Sequence, residues 1–339
     1  MVAIAGISAM TLTPGLAAAQ PSTDYTVAAS IEVSGRPEGI AVSPDNRTAF
    51  VTHGDNETGG LLSKIDTTTR AVVQTVPIGA GPVGLAVSPD GSTLFMGDNG
   101  GDTLSVIDTR TLAVRNVLPA CDGPLGTVMT QDGSKVVVAC QFDGNVLILD
   151  TKTNTTSLVK AGDRSLFVAV SPDGRTAYST DLLGDYSIAV IDLASSHVSR
   201  RIPTGRETAF TIDVAESGRT LFFTSVGSEG NQLQKLDIAT GRVQKLTLDS
   251  QPAGLDVAPD DSVAYVVSNE AVYVIDVATL TLVDTVTTPG NGQLVAVAPN
   301  SAAAYVTSQF STVSVITDGS VPPPPPGPPS TGSGSIFGS

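Results

Sequence analysis

Residues 84–109 read GLAVSPDGSTLFMGDNGGDTLSVIDT and contain three short apolar segments, with Ser88-Pro89-Asp90-Gly91 between the first two. Proline and aspartate favour a tight turn, and glycine accepts the positive φ that such a turn needs. None of the apolar segments has helical periodicity, so each is predicted to be a β-strand. A polar strand such as residues 71–77 completes a unit of four strands.

This unit recurs along the chain. The turn is clear at Ser43-Pro44-Asp45, Ser88-Pro89-Asp90, Ser171-Pro172-Asp173 and Ala258-Pro259-Asp260, and weaker at Thr130-Gln131-Asp132, Ala215-Glu216-Ser217 and Ala298-Pro299-Asn300. The third positions of these turns are 45, 90, 132, 173, 217, 260 and 300, which are 40 to 45 residues apart. A second motif keeps the same phase at Asp66, Asp108, Asp150, Asp192, Asp237 and Asp276, each after an aliphatic residue. Seven four-stranded units of this length predict an all-β fold, a seven-bladed β-propeller of antiparallel blades.

The two ends of the repeat region predict how the ring closes. The seventh unit has three strands, the last at residues 313–316, and lacks an outer strand. Residues 26–33 resemble an outer strand but belong to no unit. We therefore expect this N-terminal strand to complete the last blade, because closure removes exposed strand edges.

The flanking segments predict an exported protein. Residues 1–19 are apolar and end in Ala17-Ala18-Ala19, which fits a signal-peptide cleavage site before Gln20, although no basic residue precedes Arg36. The propeller is assigned to residues 20–318, and residues 319–339 form a tail rich in Pro, Gly and Ser that is predicted to be disordered. In an exported chain, Cys121 and Cys140 are predicted to form a disulfide worth about 3 kcal/mol; the alternative is two free, partly buried thiols.

Charge and composition exclude several classes of protein. The net charge of −15 repels nucleic acid, and no run of basic residues offsets it. No stretch of eighteen apolar residues indicates a membrane span. We expect a monomer.

The phase of the repeat predicts which residues surround the channel mouth, namely those seven positions before the third residue of each turn. These mouth positions are Glu38, Val83, Leu125, Leu166, Phe210, Ala253 and Gln293. With one carboxylate among five apolar residues and an amide, they make a poor metal cage and favour an apolar funnel for a small or peptidic ligand. Residues 79–84 match G-x-G-x-x-G, but the third glycine opens a strand where a dinucleotide site requires a helix, so no such cofactor is predicted.

Asp213 and Asp256 stand where other blades have Ala41, Ala86, Ala169 and Ala296. Because their blades are neighbours, the two carboxyl groups are expected to lie close together and to share a divalent cation or a proton. The alternative is that each carboxyl group accepts a backbone N–H from an adjacent blade. Apart from this cation, no cofactor is predicted.

The loops that join second and third strands are acidic. They contain Asp55, Glu57, Asp98, Asp102, Asp143, Asp181, Asp185, Glu229 and Glu270. Turn chemistry explains each residue singly, and an acidic rim for a cation or basic partner is the functional alternative. His53 and His197 are predicted to be solvated and to lie on opposite faces of the ring.

Over the whole body of the chain, the sequence resembles the YVTN-repeat (YncE-like) propeller family. The segments that carry the resemblance are Tyr305-Val306-Thr307, Phe50-Val51-Thr52 and Val106-Ile107-Asp108-Thr109. The final Asn of the YVTN motif is replaced in the seven units, in chain order, by His53, Asp98, Cys140, Asp181, Ser225, Ser268 and Ser308. The resemblance implies an exported seven-bladed propeller whose relatives are mostly binding or surface proteins. We therefore expect a secreted or envelope-associated protein that binds a small molecule, a peptide or an envelope protein. The alternatives are a lactonase- or lyase-like enzyme acting at the channel mouth and a purely structural surface protein.

Overall fold

A computed structural model describes residues 24–55 and 59–319. The predicted signal peptide and all but the first residue of the predicted tail lie outside the described residues. Among the described residues, no helix has the length and hydropathy needed to cross a membrane.

The strands fall into seven sheets of four, in chain order after an initial strand. That initial strand is β1 (Thr26–Glu32). Blade 1 contains β2 (Arg36–Val42), β3 (Thr48–Asp55), β4 (Gly59–Asp66) and β5 (Ala71–Pro77). Blade 2 contains β6 (Pro82–Val87), β7 (Thr93–Asp98), β8 (Thr103–Asp108) and β9 (Val114–Pro119). Blade 3 contains β10 (Pro124–Met129), β11 (Lys135–Cys140), β12 (Asn145–Asp150) and β13 (Thr155–Lys160).

The remaining blades repeat this order. Blade 4 contains β14 (Ser165–Val170), β15 (Thr176–Asp181), β16 (Ser187–Asp192) and β17 (His197–Pro203). Blade 5 contains β18 (Thr208–Val214), β19 (Thr220–Gly227), β20 (Gly230–Asp237) and β21 (Val243–Leu248). Blade 6 contains β22 (Pro252–Val257), β23 (Val263–Ser268), β24 (Val272–Asp276) and β25 (Thr281–Val286). Blade 7 contains β26 (Gly292–Val297), β27 (Ala304–Ser308) and β28 (Thr312–Thr317), and takes β1 as its outer strand.

The pairing of β1 with β28 closes the ring and confirms the predicted seven-bladed propeller. The two strands are antiparallel, with Thr26 opposite Thr317 and Glu32 opposite Thr312. All other blades are formed by consecutive strands, so only the last blade joins the two ends of the chain.

The core lies between the blades. In β7, five of the six residues are buried, whereas the outer strand β9 is exposed along most of its length. The core between blades 1 and 2 includes Phe50, Leu62, Leu94, Met96 and Ile107. The aromatic residues of the second strands therefore pack against neighbouring blades, which keeps them away from the channel.

The Ser-Pro-Asp turns are held by their own side chains. Ser88 Oγ donates to Asp90 Oδ1 at 2.5 Å and accepts the N–H of Thr93 at 2.9 Å. The hydrogen bond from Ser88 is the main cause that lowers the pKa of Asp90. The aspartates of the second motif also form turns: Asp108 Oδ1 accepts the N–H and the hydroxyl of Thr111. Both repeated motifs thus have a structural explanation.

Cys121 and Cys140 are joined in a disulfide, with their Cα atoms 5.8 Å apart. Cys121 lies in the segment that leads into β10, and Cys140 ends β11. The bond therefore ties the connection between blades 2 and 3 to the second strand of blade 3.

Candidate functional site

The inner strands of the blades enclose a central cavity of about 720 Å³. Each of the seven inner strands contributes residues to its wall. Most of these residues are aliphatic, such as Ile40, Leu85, Val128 and Val295. We call this space the channel cavity.

The structure places six of the seven predicted mouth residues on the wall of the channel cavity, and Leu166 is the exception. Leu166 is buried, and its neighbour Phe167 lines the wall in that blade. Phe167 occupies the position of Gly84 and Gly126 in blades 2 and 3, as the strand pairing shows. Glycine has no side chain to line the wall at this place, whereas the phenylalanine has one.

The polar side of the mouth is built by blades 1 and 7. Arg36 Nε lies 3.2 Å from Glu38 Oε1, and an Arg36 Nη donates to Gln293 Oε1 at 3.1 Å. Burial raises the pKa of Glu38, and the nearby Arg36 guanidinium opposes this effect. Glu38 therefore has a cationic partner within the protein.

Asp213 and Asp256 meet on the wall of the channel cavity, and we call them the aspartate pair. Their side chains are hydrogen-bonded to each other. Asp213 accepts the N–H groups of Val214 and Val257, each at 2.8 Å, and Asp256 accepts that of Val297 at 2.7 Å. Val257 and Val297 each belong to the next blade along the ring. The alternative that each carboxyl group accepts a backbone N–H from the adjacent blade is therefore confirmed, and the two carboxyl groups also meet.

The aspartate pair is arranged to keep a proton. Burial is the main cause that raises the pKa of Asp213, to about 6, while its backbone hydrogen bonds oppose the change. Burial and the charge of Asp213 raise the pKa of Asp256 well above its usual range. Two carboxylates in contact cannot both ionise cheaply, so a protonated Asp256 donates to an ionised Asp213. Asp213, with two backbone donors, is the better acceptor.

We expect the contribution of the aspartate pair to the stability of the protein to fall as the pH rises from about 4 to beyond 6. A carboxyl group with a raised pKa holds more protons in the folded chain than in the unfolded chain. Its contribution is therefore complete below the ordinary pKa of aspartate and is lost as the pH passes the raised value. At up to about 1.4 kcal/mol per pH unit, the loss is on the order of 3 kcal/mol. Urea unfolding at pH 4, 6 and 8 measures it.

The variant Asp256→Asn isolates this effect, because its amide imitates a protonated Asp256 and still donates to Asp213. We expect it to match the wild type at pH 4 and to be more stable at pH 8. Asp249→Asn, at an exposed position, serves as the control. A wild type and an Asp256→Asn variant with the same pH dependence would contradict the shared proton.

Asp213 and Asp256 supply two of the oxygen ligands that the predicted cation would need. Within residues 24–55 and 59–319, no group of three or more His, Cys, Asp or Glu side chains is placed to hold a metal ion. Divalent cations such as Ca²⁺ take about six to eight oxygen ligands. The cation site stays a prediction.

Two residues of the acidic loops, Asp98 and Asp181, act as structural caps. Asp98 is buried and accepts the N–H groups of Ala80 and Gly81. Asp181 is buried and accepts the N–H groups of two residues that precede β14. Glu57 lies outside the described residues, as does the side chain of Asp55. These caps were not predicted from the sequence. The signal was a loop such as Ala80-Gly81 just before a strand, because its backbone N–H groups need an acceptor.

The prediction that His53 is solvated was wrong. Its side chain is fully buried, and Nε2 lies 2.7 Å from Ser63 Oγ, which in turn lies 2.7 Å from Thr75 Oγ1. The position could have been identified from the repeat, since Cys140 and Ser225 occupy it in other blades and are also buried. His197 is exposed, as predicted.

The chain was compared with known proteins. No family model and no curated protein matches the sequence. The fold is similar to that of a chain of hydrazine synthase from Kuenenia stuttgartiensis, with a TM-score of 0.77 and 22% sequence identity over 84% of this chain and 96% of that chain. At this identity the likeness shows a shared propeller fold and nothing about function.

Proposed function

We propose that the protein is an exported ligand-binding propeller of the cell envelope, of the YVTN-repeat type, and that the channel cavity holds a small molecule. The observation that carries this proposal is the cavity itself. Its volume of about 720 Å³ lies within the range of about 300–1,000 Å³ that is typical of ligand sites. Its aliphatic wall would bury the body of a ligand, and its few polar groups would orient it.

Close packing of the inner strands supports a preformed site. A Cβ atom at Gly39 would lie 1.8 Å from the carbonyl oxygen of Val83 in blade 2, and one at Gly84 would lie 1.9 Å from that of Leu125 in blade 3. Backbones in such close contact cannot move independently. A rigid wall lowers the conformational cost of binding.

Binding in the channel is tested with Nile red, a neutral apolar dye whose fluorescence rises in apolar surroundings. We expect saturable binding to the wild type and at least about tenfold weaker binding to Ala253→Trp, because the indole fills the mouth. Ala71→Trp is the matched control, since Ala71 is exposed at the start of an outer strand. Equal binding by the two variants would exclude the channel as the site. Absence of saturable binding in the wild type would favour the purely structural role.

Export is supported by the leader-like residues 1–19 and by the Cys121–Cys140 disulfide, a bond that persists mainly outside the reducing cytosol. The test is the mass of the protein recovered from the medium or the envelope of an expressing bacterium. A chain that begins at Gln20 is expected. Recovery of the full-length chain from the cytosol, with both thiols reduced, would contradict export.

A further inference from the structure

The acidic residues on the wall of the channel cavity are not all paired with a basic side chain in the described part of the chain. Three acidic residues, Glu38, Asp213 and Asp256, line the cavity, and its described lining contains no Lys, Arg or His. Arg36 lies beside the mouth and is engaged with Glu38 and Gln293. Among the described residues, no basic side chain pairs with Asp213 or Asp256, and the further charge that acts on Asp213 is that of another acid, Asp261.

The oxygens of the aspartate pair are held in place by the backbone. Three N–H groups, those of Val214, Val257 and Val297, fix the two carboxyl groups on neighbouring inner strands. The pair is therefore organised before any ligand arrives. Five of the seven blades have an alanine or valine at the equivalent position, so the negative charge is confined to one side of the ring.

The rest of the wall specifies an apolar ligand body. The residues that precede the two acids of the pair, Ile212 and Leu255, line the wall, and Ile40, Leu85 and Val295 contribute elsewhere. A ligand that complements this cavity combines an apolar body with one positive charge, since a buried charge needs a partner of opposite sign.

We propose that the ligand of the channel cavity is a small organic cation with an apolar body, such as a primary alkylamine, whose ammonium group takes the place of the proton shared by Asp213 and Asp256. This inference rests on the proposed function, because it names the chemical class that the same cavity binds. An ammonium group has three N–H donors and no acceptor, which suits two adjacent carboxylates.

The proton balance of this binding is defined. The free pair carries one proton and one negative charge. When the ammonium binds, Asp256 gives its proton to the solvent and the pair becomes doubly negative. One proton is therefore released for each amine bound near neutral pH. Two other acids are near: the charge of Asp261 acts on Asp213, and Glu38 lines the same cavity.

Isothermal titration calorimetry with n-hexylamine and 1-hexanol tests the proposal, because the two probes differ mainly in charge. At pH 7 we expect the amine to bind at least about tenfold more tightly than the alcohol. Titrations in phosphate and in Tris, which differ in heat of ionisation, should show release of about one proton per amine. Equal affinity for the two probes, or no proton release, would overturn the proposal.

Variants separate recognition from folding. Asp256→Asn should still bind the amine through Asp213, but without proton release, a readout that a purely structural role would not change. The double variant Asp213→Asn/Asp256→Asn should lose the preference for the amine, while Asp249→Asn should retain both properties. If the double variant does not fold, the measurement of proton release in Asp256→Asn by itself tests the proposal. A variant Asp256→Asn with unchanged proton release would overturn the proposal.

Failure of this inference differs from failure of the proposed function. Nile red binding that Ala253→Trp abolishes, together with equal amine and alcohol affinities, would leave a ligand-binding channel of another specificity. If Ca²⁺, added as CaCl₂, binds as tightly as n-hexylamine, the aspartate pair is a metal site, and this result would also overturn the inference. Absence of binding by all probes would remove both proposals.

Discussion

A chain that begins at Ser34 is expected to melt roughly 10 °C or more below one that begins at Gln20, because it lacks the strand that closes the ring. Ile31 and Val33 are buried with Ala49, Ile65 and Val313, residues of blades 1 and 7. Loss of each large buried side chain costs about 2–5 kcal/mol. The hydrogen bonds between β1 and β28 are lost as well.

The closing strand also links blades that are far apart in sequence. Arg70 of blade 1 donates to the carbonyl oxygen of Ala28 at 2.9 Å. Just before the strand, the N–H of Tyr25 donates to Asp284 of blade 6, and the Tyr25 ring meets that of Tyr265 edge-on. Removing this segment therefore loosens three blades at once and exposes the edge of β28, which favours aggregation.

Thermal unfolding of the two truncated chains, monitored by circular dichroism, is the measurement. The chain from Gln20 is the matched control, since it lacks only the predicted signal peptide. Equal melting temperatures would show that closure contributes little. Ile31→Ala and Glu32→Ala refine the test, because the first side chain is buried and the second is exposed.

The substitution Gly84→Ala is expected to lower the free energy of unfolding by at least about 3 kcal/mol. The added Cβ would lie 1.9 Å from the carbonyl oxygen of Leu125 and 2.8 Å from the backbone nitrogen of Thr127. Both atoms belong to the backbone of blade 3, so the clash cannot be relieved by turning a side chain. Blades 2 and 3 would have to separate at the wall of the channel cavity.

Urea unfolding of Gly84→Ala is compared with that of Gly54→Ala, in a second strand. A Cβ at Gly54 would meet its nearest atom at 3.5 Å, an ordinary contact. The control should change stability by no more than about 0.5 kcal/mol. Similar losses in the two variants would mean that the effect reflects glycine flexibility and not contact between blades.

The repeat predicted the number of blades and the ring closure because both follow from local patterns. The turn and the aliphatic-Asp motif mark every unit, and an incomplete last unit requires the unpaired first strand. Counting within the unit also placed six of the seven mouth residues on the channel cavity. The count was wrong at Leu166 because the next residue is Phe167 where two neighbouring blades have glycine.

The burial of His53 shows a second limit of the pattern. From the sequence alone, a polar residue at the end of a strand is predicted to contact solvent, because the residues that pack around it are unknown. In the folded chain, Ser63 of the adjacent strand supplies the hydrogen bond that a buried imidazole needs. Pairing across strands, and not position along the strand, decided the environment.

Sequence alone determined a ring of seven sheets, since spacing and turn chemistry act over distances of a few residues. It also singled out Asp213 and Asp256 as departures from alanine. Only the tertiary structure decided that these carboxyl groups touch, because contact across blades depends on how closely the inner strands approach. That approach, set by backbone packing at positions such as Gly84, converts two separate acids into one proton-sharing pair in the channel.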